Sequence, residues 1–334
     1  MNTNKQVVLA SRPRGAVATD NFRLVEAPLP QPGEGQLLVR HDYLSLDPYM
    51  RGRMDDSKNY VQNVAVGDVM VGAIAGEVVE SKHPKFKVGD KVIGAQGWQL
   101  YSVSDGRGLT RVDTTVAPLS HYLGVLGMPG LTAWIGLVDI GKAKAGETVV
   151  VSAASGAVGS VVGQLAKLRG CRVVGIAGGP AKCGYCVSEL GFEACVDYKA
   201  GRLLDDLQAA TPQGVDVYFD NVGGGILDAM LTRMNPHSRI PLCGTISQYD
   251  GDGANAHGIR NFRSFLVNRI MLQGFIMSDY KSVWSQAVAE LTQAFKEGKL
   301  KYRESVAQGL ERAPQAFIGM LKGENFGKQV VKLT

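Results

Sequence analysis

The sequence predicts an α/β fold, a doubly wound parallel sheet joined to a smaller β-barrel-like module. Three observations predict it. Residues 148–170 read as a buried apolar strand, a small-residue turn and a helix. From about Met128 onward, strand and helix patterns alternate. Before Met128, short apolar runs are punctuated by proline and glycine. A chain of 334 residues is long enough for two domains, each with its own core.

In the first module, segments 7–10, 22–25, 36–40, 72–79 and 91–94 read as strands. Pro28, Pro30, Pro32, Gly33, Gly35, Gly89 and Asp90 separate them. In the doubly wound part, strands are expected near 148–153, 172–176, 194–196, 215–219, 239–243 and 270–275. A long amphipathic helix then places Val283, Trp284, Ala287, Leu291, Ala294 and Phe295 on one face. Segment 329–333 reads as a last strand that returns to the first module. The expected domains are 1–126 with 301–334, and 127–300.

The turn Ala154-Ser155-Gly156-Ala157-Val158-Gly159 follows the strand at 148–153 and opens a helix. Val158, Val161, Val162, Leu165 and Leu168 recur at helical spacing and form its expected apolar face. A strand, a glycine turn and a helix N-terminus together cradle a pyrophosphate, because the turn lets backbone approach the anion and the helix dipole favours it. Gly156 would permit the approach, and Gly159 the close packing of helix on strand. The six-residue fingerprint is G-x-G-x-x-G, and its first position here is Ala154. After the next strand, residues 177–182 hold no acid to bind ribose hydroxyls. Lys182 stands there instead. It is either a partner for a 2′-phosphate or a solvated lysine at a helix start, and its place leans the reading toward NADP.

A net charge of +5, without a basic run, points away from nucleic acid. Charges interrupt every apolar stretch before a membrane span is reached. Residues 1–6 show no apolar signal core, so a cytoplasmic protein is expected. The five cysteines, Cys171, Cys183, Cys186, Cys195 and Cys243, all lie beyond residue 170. Cys183 and Cys186 form a C-x-x-C in a helical context, without a second pair at zinc-ribbon spacing. Free thiols in a reducing compartment are expected. The first module has no cysteine, and its His41, His83 and His121 are not clustered. No metal site is expected.

Several motifs together resemble a known family: Ser45-Leu46-Asp47-Pro48-Tyr49-Met50-Arg51, Gly127-Met128-Pro129-Gly130-Leu131-Thr132-Ala133, the turn at 153–159, Val217-Tyr218-Phe219-Asp220-Asn221-Val222-Gly223-Gly224, Cys243-Gly244-Thr245-Ile246-Ser247-Gln248-Tyr249 and Glu324-Asn325-Phe326-Gly327-Lys328. Their order over essentially the whole chain is similar to that of medium-chain dehydrogenases/reductases. The resemblance is sharpest to the zinc-independent branch of leukotriene B4 12-hydroxydehydrogenases, prostaglandin reductases, alkenal double-bond reductases and bacterial curcumin reductases. It implies a GroES-like first domain and a Rossmann domain for NADPH. It implies reduction of the carbon–carbon double bond of α,β-unsaturated ketones or aldehydes, by hydride transfer to the β-carbon with stabilisation of the enolate. A quinone reductase, or an NADPH-binding protein without catalysis, are the alternatives on the same fold.

The resemblance also implies roles. Tyr249 is a hydrogen-bond donor to the enolate or packs on substrate. Tyr49 lines the substrate pocket or is a core aromatic beneath its turn. Arg51 attracts acidic substrate tails or pairs with Asp47. Tyr60 and Met128 complete the substrate contacts, with Met128 and Thr132 near the nicotinamide. Ala154 and Gly159 frame the pyrophosphate turn, and Ser155, Gly156, Ala157 and Val158 contact the anion. Lys182 and Tyr198 flank the 2′-phosphate, and Gly178 leaves room for adenosine. Asn221 contacts a ribose or the pyrophosphate, or merely forms a turn beside Gly223. Cys243, Gly244 and Ile246 pass along the cofactor, and Asn325 reaches it from the C-terminal return. The polar, glycine-rich segment 250–258 is expected to be a loop over the active site. A homodimer is expected, with strand 270–275 as the candidate edge.

Overall fold

The computed structural model describes residues 3–250 and 257–334. The chain divides into two units, Met1–Leu123 with Glu304–Thr334, and Gly124–Arg303.

The first unit opens with β1 (Thr3–Leu9) and β2 (Phe22–Pro28), paired antiparallel from Thr3 opposite Pro28 to Leu9 opposite Phe22. Then come β3 (Leu37–Ser45), a short α1 (Tyr49–Arg53), β4 (Ile74–Ser81), β5 (Lys91–Gly94), β6 (Tyr101–Ser104) and β7 (Thr110–Arg111). β3 is the trunk. It pairs with β4 along one edge and, at Leu37–Arg40, with β6 along the other. Bulges between Leu38 and Val39 and between His41 and Tyr43 shift its register against β4. His41 lies between them, fully buried. Its Nδ1 contacts the Gln99 carbonyl at 2.7 Å, and its Nε2 the Ser102 hydroxyl at 2.8 Å. Burial pushes its pKa down to about 3, so this imidazole is a neutral packing group.

The second unit begins with α2 (Met128–Trp134), which runs into a π-helical turn at Ile135–Ile140. Strands and helices then alternate: β8 (Thr148–Ser152), α3 (Gly159–Leu168), β9 (Arg172–Ala177), α4 (Pro180–Ser188), β10 (Ala194–Asp197), α5 (Leu203–Ala210), β11 (Val215–Phe219), α6 (Gly224–Met230), β12 (Met234–Leu242), α7 (Arg263–Val267), β13 (Met271–Gly274) and α8 (Trp284–Lys296). The six strands are all parallel, in the order β10-β9-β8-β11-β12-β13. β8 is buried throughout, as a central strand covered on both faces must be. Val150, Val174, Ile176, Tyr218 and Ile240 carry one core layer.

The chain then returns to the first unit through β14 (Glu304–Gln308), α9 (Ala313–Leu321) and β15 (Lys328–Lys332). β15 lies antiparallel to β3 at Tyr43–Ser45 and parallel to β14. Phe317 of α9 meets Trp98 edge-on at 5.7 Å, and Trp98 stacks on Phe22 at 5.5 Å. This aromatic trio seals the core between the hairpin and the returning helix.

Some elements differ from the sequence reading. Ala153 is not part of β8; its φ of 49° starts the turn one residue early. Val158 caps α3 instead of lying within it. Leu168 is exposed, in a shallow groove between α3 and α8 beside the Arg169–Glu290 ion pair. β12 begins five residues early, at Met234. β6, β7 and β14 were not expected, being short and half or more polar.

Candidate active site

The strand order turns outward in both directions from β8 and β11, and that reversal is where doubly wound sheets bind ligands. One carboxylate organises the crevice. Asp220, directly after β11, is fully buried. Its Oδ1 accepts hydrogen bonds from the Ser152 hydroxyl at the end of β8 (3.1 Å), the Tyr218 hydroxyl (2.8 Å) and the backbone N–H groups of Val222 (2.9 Å) and Gly223 (3.0 Å). Its own N–H donates to Pro241, and its carbonyl accepts from Cys243 and Gly244 just past β12. Asn221 adds a second link, donating from Nδ2 to the Ser152 carbonyl at 2.8 Å. Three strand ends are thereby fixed together. Burial raises the Asp220 pKa, and the Gly223 and Val222 N–H groups oppose the rise. Asn221 forms the turn before Gly223 and stands at the reversal of strand order.

The turn after β8 holds Ala154 through its N–H to the Ile176 carbonyl at 3.0 Å, and Gly156 through its N–H to Ala153 at 2.9 Å. A Cβ on Gly159 would lie 2.4 Å from the Ala153 carbonyl oxygen, so only glycine lets α3 start this close to the strand. Ala154 and Ser155 are buried; Gly156, Ala157 and Val158 keep partial exposure on the turn.

At the end of β9 the chain builds a basic corner. The Tyr198 ring lies over Gly178, where a Cβ would come within 2.9 Å of it. The Lys199 ammonium stands 6.0 Å from the centre of that ring. Lys182, half-buried in the first turn of α4, has a lowered pKa, through burial and then the nearby Lys199 charge. Asp197 is close by, but its Oδ1 accepts from the N–H groups of Gly179 and Lys199. Lys199 was missing from the sequence reading. Its signal was adjacency to Tyr198, and only the fold brings it to Lys182.

Past β12, the Tyr249 hydroxyl lies over the backbone of Gly244 and 3.5 Å from the Thr245 N–H. Burial raises its pKa, so the phenol stays protonated at neutral pH. Cys243 is pushed up to about 12 by burial and by Asp220. Ile246 donates from its N–H to the Asn221 carbonyl. Thr132 bonds back to the Met128 carbonyl at 2.8 Å within α2. The expected loop 250–258 lies mostly outside the described residues. Its described end is anchored: Asp228 of α6 accepts from the Arg260 and Asn261 N–H groups, and His257 Nε2 stands 3.2 Å from it.

In the first unit, Tyr49 heads α1, packed against the core and half-buried. Burial raises its pKa, and the neighbouring Asp47 charge adds to the rise. Tyr60 is exposed. Arg51 is buried and donates to Asp55 at 2.6 Å and to the Gly15 carbonyl at 2.9 Å. Asp47 instead takes the ammonium of Lys328, 2.8 Å away and 1% exposed, which also donates to the Leu46 carbonyl. The Ser45 hydroxyl completes the group. The turn that presents Tyr49 is therefore clamped by a buried cation from β15. Asn325 shapes the approach to β15 by donating to the Gly327 carbonyl at 2.8 Å.

Among the described residues, no group of three or more His, Cys, Asp or Glu is arranged to hold a metal ion, and no helix is long and apolar enough to cross a membrane.

Two family models match: one described as the N-terminal domain of oxidoreductase, over residues 5–112, and one described as zinc-binding dehydrogenase, over residues 157–293. An NADPH-dependent curcumin reductase of Escherichia coli (strain K12) is 49% identical over 334 residues, covering 99% of this chain and 97% of that protein. A 2-alkenal reductase (NADP(+)-dependent) of Nicotiana tabacum is 41% identical, covering 99% and 98%. The crystal structure of CurA in complex with NADPH from Vibrio vulnificus matches with a TM-score of 0.95, at 47% identity, over 99% of each chain. The chain belongs to the medium-chain dehydrogenases/reductases, in their zinc-independent branch of curcumin, alkenal and prostaglandin reductases.

Lys328→Met leaves the Asp47 carboxylate buried without its cation, and is expected to cost about 3–5 kcal/mol of stability. Adding Asp47→Leu is expected to restore a large part of it. Urea denaturation of the two variants checks this. A double variant as unstable as the single one would show that the pair does not hold the turn.

Proposed function

We propose that this chain reduces the carbon–carbon double bond of α,β-unsaturated ketones and aldehydes with NADPH. The observation that carries the cofactor choice is the convergence of Lys182 and Lys199 beside Tyr198 at the end of β9. Two ammonium groups suit a 2′-phosphate, and Asp197 at the end of β10 is engaged by backbone N–H groups. The glycine-lined turn at 154–159 fits a pyrophosphate, with Ser155, Gly156, Ala157 and Val158 against it. Gly178 lets the Tyr198 ring pack on the backbone beside the adenosine. Asn221, Cys243, Gly244 and Ile246 border the dinucleotide at the reversal of strand order, and Met128, Thr132 and Asn325 complete its surroundings.

Bound NADPH supplies the hydride that reaches the β-carbon of the substrate. The protein must then stabilise the negative charge that develops on the carbonyl oxygen. Tyr249 donates a hydrogen bond to that oxygen; its raised pKa keeps the proton in place for this purpose. Tyr49 and Tyr60 contact the substrate, and Arg51, held by Asp55, stiffens the helix that carries Tyr49. The substrate is a small molecule. The free thiols suit a reducing cytoplasm.

The protein acts as a homodimer in this reading. β13 is an edge strand, and Met271 and Leu272 on it are exposed with Phe262, Leu266 and Val267 beside it. An exposed apolar edge of this kind is stable when a second copy covers it. Sedimentation is expected to show a dimer, and Met271→Lys with Leu266→Glu a monomer. A wild-type chain sedimenting as a monomer would contradict it.

Steady-state turnover of an alkenal, an enone and a quinone, with NADPH and with NADH, tests the activity. Saturated carbonyl product is expected from the first two, with NADPH preferred. Lys182→Ala with Lys199→Ala should raise KM for NADPH about 10- to 100-fold and leave KM for NADH nearly unchanged. Tyr249→Phe should lower kcat about 100-fold. Turnover of quinones alone would reassign the chain to the quinone reductases, and NADPH binding without any turnover would make it a binding protein.

A further inference from the structure

The basic corner has a feature that dinucleotide binding does not use. α4 and β10 bring three thiols together. The Sγ atoms of Cys183 and Cys195 are 2.9 Å apart, with Cys195 donating to Cys183. Cys195 also makes a hydrogen-bond contact with Cys186. Cys183 and Cys195 are partly exposed and Cys186 is buried. Cys183 sits in the first turn of the nine-residue α4, where the helix dipole favours an anion. The thiol proton of Cys195 and a hydrogen bond from the Ala177 backbone draw the Cys183 pKa below the usual thiol range, against burial and the Asp197 charge. The Cys195 pKa is raised by the same contact. Cys171 and Cys243 contrast with this pair. Burial pushes them up to about 11 and about 12, which keeps them unreactive.

We propose that Cys183 and Cys195 are an oxidisable dithiol, closed to a disulfide by a hydroperoxide, and that closure weakens retention of a 2′-phosphate at Lys182. The Cys183 thiolate attacks the terminal peroxide oxygen, the O–O bond breaks, and the alkoxide leaves and is protonated to an alcohol. Cys183 is then a sulfenic acid. Cys195 attacks that sulfur, the S–S bond forms, and hydroxide leaves with the Cys195 proton as water. Two thiols and one hydroperoxide give one disulfide, one alcohol and one water. The sulfurs must close from 2.9 Å to about 2.05 Å. That contraction draws the first turn of α4 toward β10, and Lys182 is the residue directly before Cys183. The effect on the phosphate rests on the NADPH reading above; the disulfide itself does not.

The full chain is treated with cumene hydroperoxide, alkylated after denaturation and mapped by mass spectrometry without reduction. The expected map has one cross-linked peptide joining Cys183 to Cys195, with Cys171, Cys186 and Cys243 alkylated. Cys195→Ser should instead leave a sulfenic acid at Cys183 that dimedone traps, and Cys186→Ala should cross-link as the parent does. Calorimetric titration of the oxidised protein should show Kd for NADPH raised several-fold, Kd for NADH unchanged, and reversal by dithiothreitol. A Cys186–Cys195 cross-link, a Cys183 sulfinic acid without a cross-link, no reaction, or a cross-linked protein with an unchanged NADPH-to-NADH ratio would each overturn the proposal. A reduced protein that does not prefer NADPH over NADH would instead sink the cofactor reading, while the peptide map still judges the thiol pair.

Discussion

A single buried carboxylate, Asp220, fixes the geometry on which the second unit's site depends. Parallel strands are joined by hydrogen bonds along their lengths, but their ends are free to splay unless something ties them. Here the Asp220 side chain ties β8 to the turn after β11, while its backbone ties β11 to the exit of β12. Burying a carboxylate is costly in itself. Four donors on one oxygen offset that cost, and the same four donors fix where the following glycines lie. Tyr249, Cys243 and Asn221 all hang from this knot, so their positions relative to the turn at 154–159 follow from it.

The first unit uses the same device with the opposite charge. Lys328 reaches from the returning β15 into the core and neutralises Asp47 at the start of the Tyr49 turn. An ion pair so deeply buried contributes little net stability against an apolar substitute, but it is strongly destabilising when halved. Its value is geometric. It forces the last strand and the first helix of the unit into one arrangement, and β3, which pairs with both β4 and β15, carries that arrangement into the sheet.

The parallel sheet was legible in the sequence because its strands are covered on both faces and so read as apolar runs; β8 and β9 are the clearest cases. Short strands such as β6 and β7 were not, since β6 mixes tyrosine and valine with serines, β7 is two exposed polar residues, and pairing with β3 and β5, not composition, makes them strands. Leu168 had the right helical spacing, yet α8 leaves it open, because periodicity states which face is apolar and not how far the covering helix extends. In the site, Gly159 and Lys182 could be read locally. Lys199 and Lys182 are distant in sequence, as are Cys183 and Cys195, and only the packing of α4 on β10 joins them. Asp220 and Lys328 stood inside recognisable motifs, but a motif does not reveal that a residue's role is to be buried and paired.

Catalysis here rests on hydride reaching the β-carbon of an activated double bond. The most direct measurement is to run the reaction with NADPH deuterated at the transferring C4 position and locate the label in the product by NMR. The expected product is a saturated ketone or aldehyde with deuterium at the β-carbon and a solvent-derived hydrogen at the α-carbon. Deuterium at the carbonyl carbon of an alcohol product, or a product without label, would contradict it.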